Sequence, residues 1–252
     1  MIIAQISDTH IALDTDDAAR RVSDFERTIA HIHALKEKPD VIVHTGDIVQ
    51  NGLREEYEKA AEILATSTLP VFLMVGNKDD RQQLRSAFPD HTYLKSKSNF
   101  VQYCIDEYPV RMIMLDTLHE GSNKGKFCSV RQAEFDQFAK GEPTKPRVVF
   151  AHHPPFLVPV GPEPLHFETK REMQEFQEIL ANTPDLLSVY CGHVHRGSAG
   201  HAGEVPIIVM PCIATSLRRG EYPKHMTHSP VYHVHKYEPQ WGLTTEIQVV
   251  EN

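Results

Sequence analysis

Residues 2–10 read Ile2-Ile3-Ala4-Gln5-Ile6-Ser7-Asp8-Thr9-His10, an apolar run that breaks at once into a polar turn carrying a carboxylate and an imidazole. Such a run predicts a buried strand, and the turn then lies at the strand's carboxyl end. In open α/β sheets that is the edge where ligands bind. The same form recurs along the chain. Val41-Ile42-Val43 leads to Gly46-Asp47, Leu69 to Val75 leads to Gly76-Asn77, Val148-Val149-Phe150 leads to His152-His153, and Leu186 to Cys191 leads to Gly192-His193-Val194-His195. Side chains far apart in sequence can therefore converge at one edge.

Between these runs the periodicity changes. Phe25, Ile29, Ile32 and Leu35 recur at helical spacing until Pro39 and Asp40, and a second helix is predicted from about Arg54 to Ala65, with Tyr57, Ala61 and Leu64 on one face. Helices near Ser129 to Ala139 and Glu168 to Ala181 separate later strands, and Phe100 to Ile105 with Val110 to Leu115 reads as a hairpin around Tyr108-Pro109. Val205 to Met210, Val231 to Val234 and Leu243 to Val250 add strands from the tail. Alternating strands and helices give a layered sheet with right-handed crossovers, and strands from both halves give a two-sheet sandwich flanked by helices. The Pro-rich stretch from Pro154 to Pro164 is long enough for a functional loop.

The 252 residues, 40% hydrophobic and 24% charged, suffice for one sizeable core, and 1–252 reads as a single domain. No stretch approaches the roughly 20 apolar residues of a membrane helix. The first strand starts at Ile2 with no basic segment or cleavage site ahead of it, so a cytoplasmic protein without membrane contact is expected. Cys104, Cys128, Cys191 and Cys212 are scattered without a Cys-x-x-Cys pair, which excludes a zinc knuckle or dithiol motif and predicts reduced, mostly buried thiols. A net charge of −8 with dispersed basic residues argues against long nucleic acid. A small phosphate ester stays compatible, because bound cations would make a pocket locally positive.

A lone Asp8 or His10 after a strand reads as a cap or a satisfied surface group. Five such turns, each after a strand, read as a two-metal site. Two aspartates, one asparagine and several imidazoles, with no thiolate, suit two ions of iron, manganese, zinc or cobalt. The Asp47 carboxylate can bridge two cations about 3.5–4 Å apart. Gly46, Gly76 and Gly192 each directly precede a candidate ligand, where a missing side chain allows close approach.

Asp8-Thr9-His10, Gly46-Asp47, Gly76-Asn77, His152-His153 and Gly192-His193-Val194-His195 resemble, in order and across most of the chain, the motifs of the calcineurin-like metallophosphoesterases. The resemblance implies an α/β fold, a four-layer αββα sandwich of two mixed β-sheets flanked by helices. It implies that Asp8, His10, Asp47 and His195 hold the first metal, and Asp47, Asn77, His153 and His193 the second. His152 is expected to act as a hydrogen-bond partner behind the ligands. The length and Ser229-Pro230-Val231-Tyr232 look most like the bacterial class III cyclic-nucleotide phosphodiesterases and related glycerophosphodiesterases.

The implied activity is hydrolysis of small phosphodiesters by in-line attack of a metal-bound hydroxide, without a covalent enzyme intermediate. Phosphomonoesterase activity is the enzymatic alternative. One position departs from the family pattern: histidine usually follows the asparagine, whereas this chain has Lys78 after Asn77. Lys78 can supply charge near the leaving group but is a poorer acid, with a reference pKa of about 10.4. A metal-loaded nucleotide-binding protein with weak turnover is therefore the reading of another class. Asp47, Asn77 and Lys78 are the candidate catalytic residues, and a homo-oligomer built through a C-terminal cap segment at 197–235 is left open.

Other polar clusters attract blander readings. His233 and His235 alternate in a strand and face one side, read as exposed, with a substrate-pocket role for one of His225, His228, His233 or His235, or for Tyr222 or Tyr232, as the alternative. The Arg218-Arg219 pair reads as a solvated surface. His31, His33, His44 and His91 read as structural.

Overall fold

The computed structural model describes residues 1–95, 98–142, 144–160 and 164–251. Its eleven strands are β1 (Ile2–Ile6), β2 (Val41–His44), β3 (Val71–Leu73), β4 (Tyr103–Ile105), β5 (Arg111–Leu115), β6 (Arg147–Ala151), β7 (Leu186–Cys191), β8 (Ser198–Ala202), β9 (Val205–Val209), β10 (Val231–Glu238) and β11 (Gly242–Val249). Five α-helices, α1 (Ala18–Ala34), α2 (Arg54–Leu64), α3 (Arg81–Ala87), α4 (Ser129–Lys140) and α5 (Lys170–Ala181), intervene.

The strands form two mixed sheets, ordered β11-β10-β1-β2-β3 and β4-β5-β6-β7-β9-β8. In the first, β1, β2 and β3 run parallel while β10 and β11 are antiparallel additions; in the second, β5, β6, β7 and β9 run parallel between antiparallel β4 and β8. Alternation along the central strands explains the layering. Met112 and Met114 of β5, with Val148 and Phe150 of β6, point into the layer shared with the first sheet. Ile113, Leu115, Val149 and Ala151 instead pack with Phe135 of α4 and Phe176 of α5. A strand buried on both faces reads as a continuous apolar run, which is the pattern the sequence shows. Phe25, Ile29 and Ile32 of α1 and Tyr57, Ala60 and Ile63 of α2 cover the first sheet. The result is the expected sandwich of two mixed sheets flanked by helices.

Two elements were absent from the sequence reading. α3 is short, and Asp80 caps it, accepting 2.8 Å hydrogen bonds from the Gln82 and Gln83 amides. β8 carries Ser198-Ala199-Gly200-His201-Ala202, residues of poor strand propensity that pair only because β9 offers an edge. The strand expected over Leu69 to Val75 is ordered as strand only at Val71–Leu73. Of the Pro-rich loop, 161–163 lie outside the described residues.

The exposed reading of His233 and His235 is corrected. Both face the second sheet beside Gln5 and are buried, at 4% and 0% exposure. The His235 ring stacks on Tyr190 at 3.6 Å, and its Nε2 lies 3.0 Å from Gln5 Oε1. The Gln5 amide nitrogen donates to Thr45 Oγ1 and the Cys191 carbonyl, so Oε1 is the acceptor and His235 Nε2 carries the proton. Burial pushes the His233 imidazole down to about 4, and burial with the neighbouring His233 pushes His235 well below its ordinary value. The remaining structural histidines are bonded as expected: His31 to the Tyr232 hydroxyl, His33 to Ser67, His44 to Thr9 and His91 to Tyr93.

An imidazole whose folded pKa is depressed leaves the unfolded chain binding more protons between about 6.5 and 4, so stability is full above that window and falls as the pH falls through it. We expect His233 alone to remove about 2 kcal/mol of unfolding free energy by pH 5. Urea denaturation at pH 7.5 and pH 5 of the protein and of His233→Leu should show a shallower pH slope in the variant. Equal slopes would remove His233 from this account.

Candidate metal centre

Every turn singled out in the sequence lies at one end of the sandwich. Asp8 and His10 follow β1, Asp47 follows β2, Asn77 follows β3, His152 and His153 follow β6, and His193 and His195 follow β7. Turning so sharply requires unusual backbone. Among the described residues, seven other than glycine have positive φ, and five of them are Asp8 (56°), His10 (46°), Asp47 (50°), His193 (73°) and His195 (58°). Such conformations cost about 1–3 kcal/mol each unless their surroundings fix them. Here the surroundings do. The Asp8 and His10 amides donate to the Gly46 and Asp47 carbonyls at 3.0 Å, the His193 amide donates to Asp8 Oδ2 at 3.0 Å, and the Lys78 amide donates to Asp47 Oδ1 at 2.7 Å. At Gly76 a β-carbon would collide with Asp47, and at Gly192 with Ser7 and Asp8, so both positions need the missing side chain.

The donor atoms form two groups. Asp8, His10, Asp47 and His195 bring one ligand atom each within 4.8 Å of one another, and so do His152, His153 and His193. Asp47 adjoins both: its Oδ2 is 3.5 Å from His10 Nε2 and 3.5 Å from His152 Nε2. Asn77 Oδ1 lies 2.9 Å from His193 Nδ1 and 3.2 Å from His152 Nε2.

The proton positions on the rings test whether cations fit. His195 Nδ1 faces the Leu217 carbonyl, and His10 Nδ1 faces Gln50 Oε1, an oxygen that also accepts from the Arg21 guanidinium. Both Nδ1 atoms are therefore donors, so in the neutral rings both Nε2 atoms carry lone pairs, and they face each other at 3.0 Å. Two lone pairs at that distance repel, so either a proton on one of the rings, which can then also serve the Asp8 carboxylate, or a bound cation must stand beside them. Asp8 Oδ1 and His153 Nε2 are buried without a hydrogen-bond partner. Hard and borderline donors, unpaired and convergent, fit a divalent cation in each group.

Electrostatics points the same way. Burial opposes ionisation of Asp8, yet His10, His195 and His152 hold its carboxyl well below the usual range. Burial and neighbouring imidazoles push His153 and His193 well below their ordinary values, leaving neutral rings. Burial also opposes charging of His152, but the Asp47 and Asp8 carboxylates outweigh it and hold the ring up to about 9. His152 Nδ1 donates to the Thr45 carbonyl at 2.8 Å, which aims Nε2 at Asp47 and Asn77 as a ligand would be aimed. His153 is anchored instead by Thr117 Oγ1, 2.8 Å from its Nδ1.

Several contributors were invisible in the sequence. Asp79 accepts from the Ile48, Val49 and Gly76 amides and the Tyr57 hydroxyl, tying the Asp47 turn to the Asn77 turn; burial and the Asp47 charge push it up to about 7. Its position two residues after Asn77, between strand and helix, was the only signal. A cavity of about 270 Å³ opens above the ligands, with Lys78, Asn123, His166 and Arg219 on its walls. Lys78 Nζ donates to Asn123 Oδ1 at 3.1 Å. Val160 within the Pro-rich loop and Leu165 just after it also line it, whereas Tyr222, Tyr232, His225, His228, His233 and His235 do not. The solvated-surface reading of the Arg218-Arg219 pair holds for Arg219, which is exposed at the edge of the cavity, and is corrected for Arg218, which is half-buried and donates to the Met226 and Ser229 carbonyls.

Comparison with known proteins identifies the class. A sequence profile of the calcineurin-like phosphoesterases matches residues 1–197, and the chain belongs to that family. It is therefore a metallophosphoesterase, a hydrolase whose family fold implies a pair of divalent metals. Among curated relatives, it is 28% identical over 258 residues to a probable glycerophosphodiester phosphodiesterase GpdQ of Arcobacter nitrofigilis, covering 99% of this chain and 93% of that protein. It is 26% identical over 197 residues to the 3′,5′-cyclic adenosine monophosphate phosphodiesterase CpdA of Escherichia coli K12, covering 77% and 69%. A dimetal phosphatase of Danio rerio has the same fold, with a TM-score of 0.70 at 14% identity over 100% of this chain and 98% of that one. Among the described residues, no helix is long and apolar enough to cross a membrane.

Because the space at Gly192 is occupied by Ser7 and Asp8, Gly192→Ala should destabilise the fold by about 1–3 kcal/mol. It should also lower the zinc or manganese retained after dialysis. Unchanged denaturation and metal content would show that the turn can yield.

Proposed function

We propose that the protein is a dinuclear-metal phosphodiesterase acting on small phosphodiesters, either glycerophosphodiesters or cyclic nucleotides. The observation that carries this reading is the pair of cation-ready groups meeting at Asp47 beneath a cavity of about 270 Å³. Asp8, His10, Asp47 and His195 would hold one ion. Asp47, Asn77 and His193 would hold the other, with His152 added to His153 as a candidate for the remaining position. Two bound cations would neutralise the phosphoryl oxygens and acidify water. The chain's own residues do the rest. Asp79 and the backbone amides fix the ligand turns, and Asn123 holds the Lys78 ammonium on the cavity wall, where it can offset charge on a leaving oxygen.

The cavity's size favours a small ester over a polymer, and both curated relatives are named for small diesters. In region 197–235, residues 198–202 and 205–209 are strands of the second sheet, and the connection after them brings Arg219 to the cavity, which supports a capping role over self-association. The choice among iron, manganese, zinc and cobalt follows supply as much as ligands. Weak turnover by a nucleotide-binding protein is the second reading, favoured by Lys78 standing where the family has histidine.

Metal-free protein supplied with manganese, cobalt or zinc should hydrolyse bis(p-nitrophenyl) phosphate faster than p-nitrophenyl phosphate, and Asp47→Ala should lose both ions along with activity. A preference for the monoester would make it a phosphatase, and two ions retained by Asp47→Ala would refute the bridging role. Lys78→His should raise kcat roughly tenfold or more with KM little changed, since a general acid contributes about 10²–10⁴-fold where one acts. An unchanged kcat would mean that Lys78 already serves.

A further inference from the structure

Three rings that turn Nε2 toward the ligand groups are held from behind by an oxygen on Nδ1: His195 by the Leu217 carbonyl at 3.1 Å, His152 by the Thr45 carbonyl at 2.8 Å and His10 by Gln50 Oε1 at 3.1 Å. The first two holders are backbone carbonyls, which only accept, so the main chain itself places the proton on Nδ1. The third is different. A side-chain amide has an acceptor on one arm and a donor of nearly the same shape on the other, so Gln50 turned over would present its NH2 group to His10. The ring would then carry its proton on Nε2, the atom that a cation needs bare.

Arg21 removes that freedom. It lies in the first turn of α1 and is 5% exposed. Its Nε donates to Asp17 Oδ2 at 2.9 Å, and its Nη1 donates to the His10 carbonyl at 3.1 Å and to Gln50 Oε1 at 2.9 Å. A guanidinium has donors only, so the arm of Gln50 that it touches must be the oxygen, and the same oxygen is the one that faces His10 Nδ1. Turning the amide over would set one donor against another, the second of them charged and buried. Charge alone gives a guanidinium no place behind a cation ligand, because like charges repel. Its directional bonds do.

We propose that Arg21 is a positioning residue for the metal centre: by occupying Gln50 Oε1 it fixes that oxygen on His10 Nδ1 and so keeps the His10 Nε2 lone pair free for the first ion. The assignment rests on the dinuclear reading and extends it from the ligands to the group that selects a ligand's proton position.

The test is the zinc affinity of the metal-free chain, measured by competition with a chromogenic chelator that resolves the two ions, with no turnover involved. Arg21→Met should weaken one ion by about 10–100-fold, the usual cost of losing a group that orients a ligand. Coulomb's law gives the opposite sign, since removal of a positive charge should tighten cation binding. Glutamate at position 50 offers oxygen on both arms and has no wrong way round, so in a Gln50→Glu background the same Arg21→Met change should leave the affinity close to that of Gln50→Glu alone. Wild-type affinity for both ions in Arg21→Met overturns the assignment. So does an equal loss in the two backgrounds, which would mean that Arg21 acts through the fold or the His10 carbonyl. Should Arg21→Met fail to fold, Gln50→Leu decides: it leaves Arg21 its bonds to Asp17 and the His10 carbonyl and removes only the oxygen on Nδ1, so one ion should again weaken about 10–100-fold, and wild-type affinity overturns the assignment. Titration of the wild-type chain separates the two levels. Fewer than two ions bound would bring down the dinuclear reading and the assignment with it, whereas two ions bound and unaltered by either variant would remove the role of Arg21 alone.

Discussion

Two buried carboxylates, Asp8 and Asp47, govern this molecule. Each is almost wholly removed from solvent, and removing an unpaired carboxylate from water is far too costly to tolerate. The chain answers with imidazoles: His10, His152 and His195 approach the two aspartates within 3.3 to 4.0 Å. To bring those rings in, the backbone must reverse within one or two residues after each strand, which is why left-handed conformations collect at Asp8, His10, Asp47, His193 and His195. Backbone strain and buried charge share one location and one cause. The apolar layers around them, from Ile3 and Ile6 to Val149 and Val189, supply the rigidity that holds both.

Legibility in the sequence followed the same division. Strands buried on both faces announce themselves, so β1 and β7 were read to the residue and β2, β5 and β6 nearly so. The ligand turns were legible because metal-binding side chains are rare directly after such runs, and their order along the chain resembled a known family. What escaped depends on partners. β8 is a strand only because β9 lies beside it, and α3 is fixed by the Asp80 cap more than by any apolar periodicity. His233 and His235 misled because polar alternation ordinarily marks a solvent face, and only the tertiary pairing with Gln5 and Tyr190 reverses that expectation.

The site shows the same limit more sharply. His152 and His153 are adjacent and identical in the sequence, and only the Thr45 carbonyl behind one and Thr117 behind the other tell their orientations apart. Asp79 carries no pattern at all. It matters through what its neighbours would otherwise leave unsatisfied, the backbone amides of Ile48, Val49 and Gly76. Such roles are written in the packing, where sequence spacing has no reach.

The ligand turns belong to two different sheets, with Asp8, His10, Asp47 and Asn77 on one and His152, His153, His193 and His195 on the other. Most of the seam between the sheets is apolar and has no directional preference. At the ligand end it is stitched by directional bonds instead, from His193 to Asp8, from His152 to Thr45 and from Gln5 to Cys191. One residue of slip along a strand is about 3.3 Å, enough to part every one of these pairs. The polar end therefore works as an alignment key for the two halves of the sandwich, setting a registry that the oily interior between them could not set by itself.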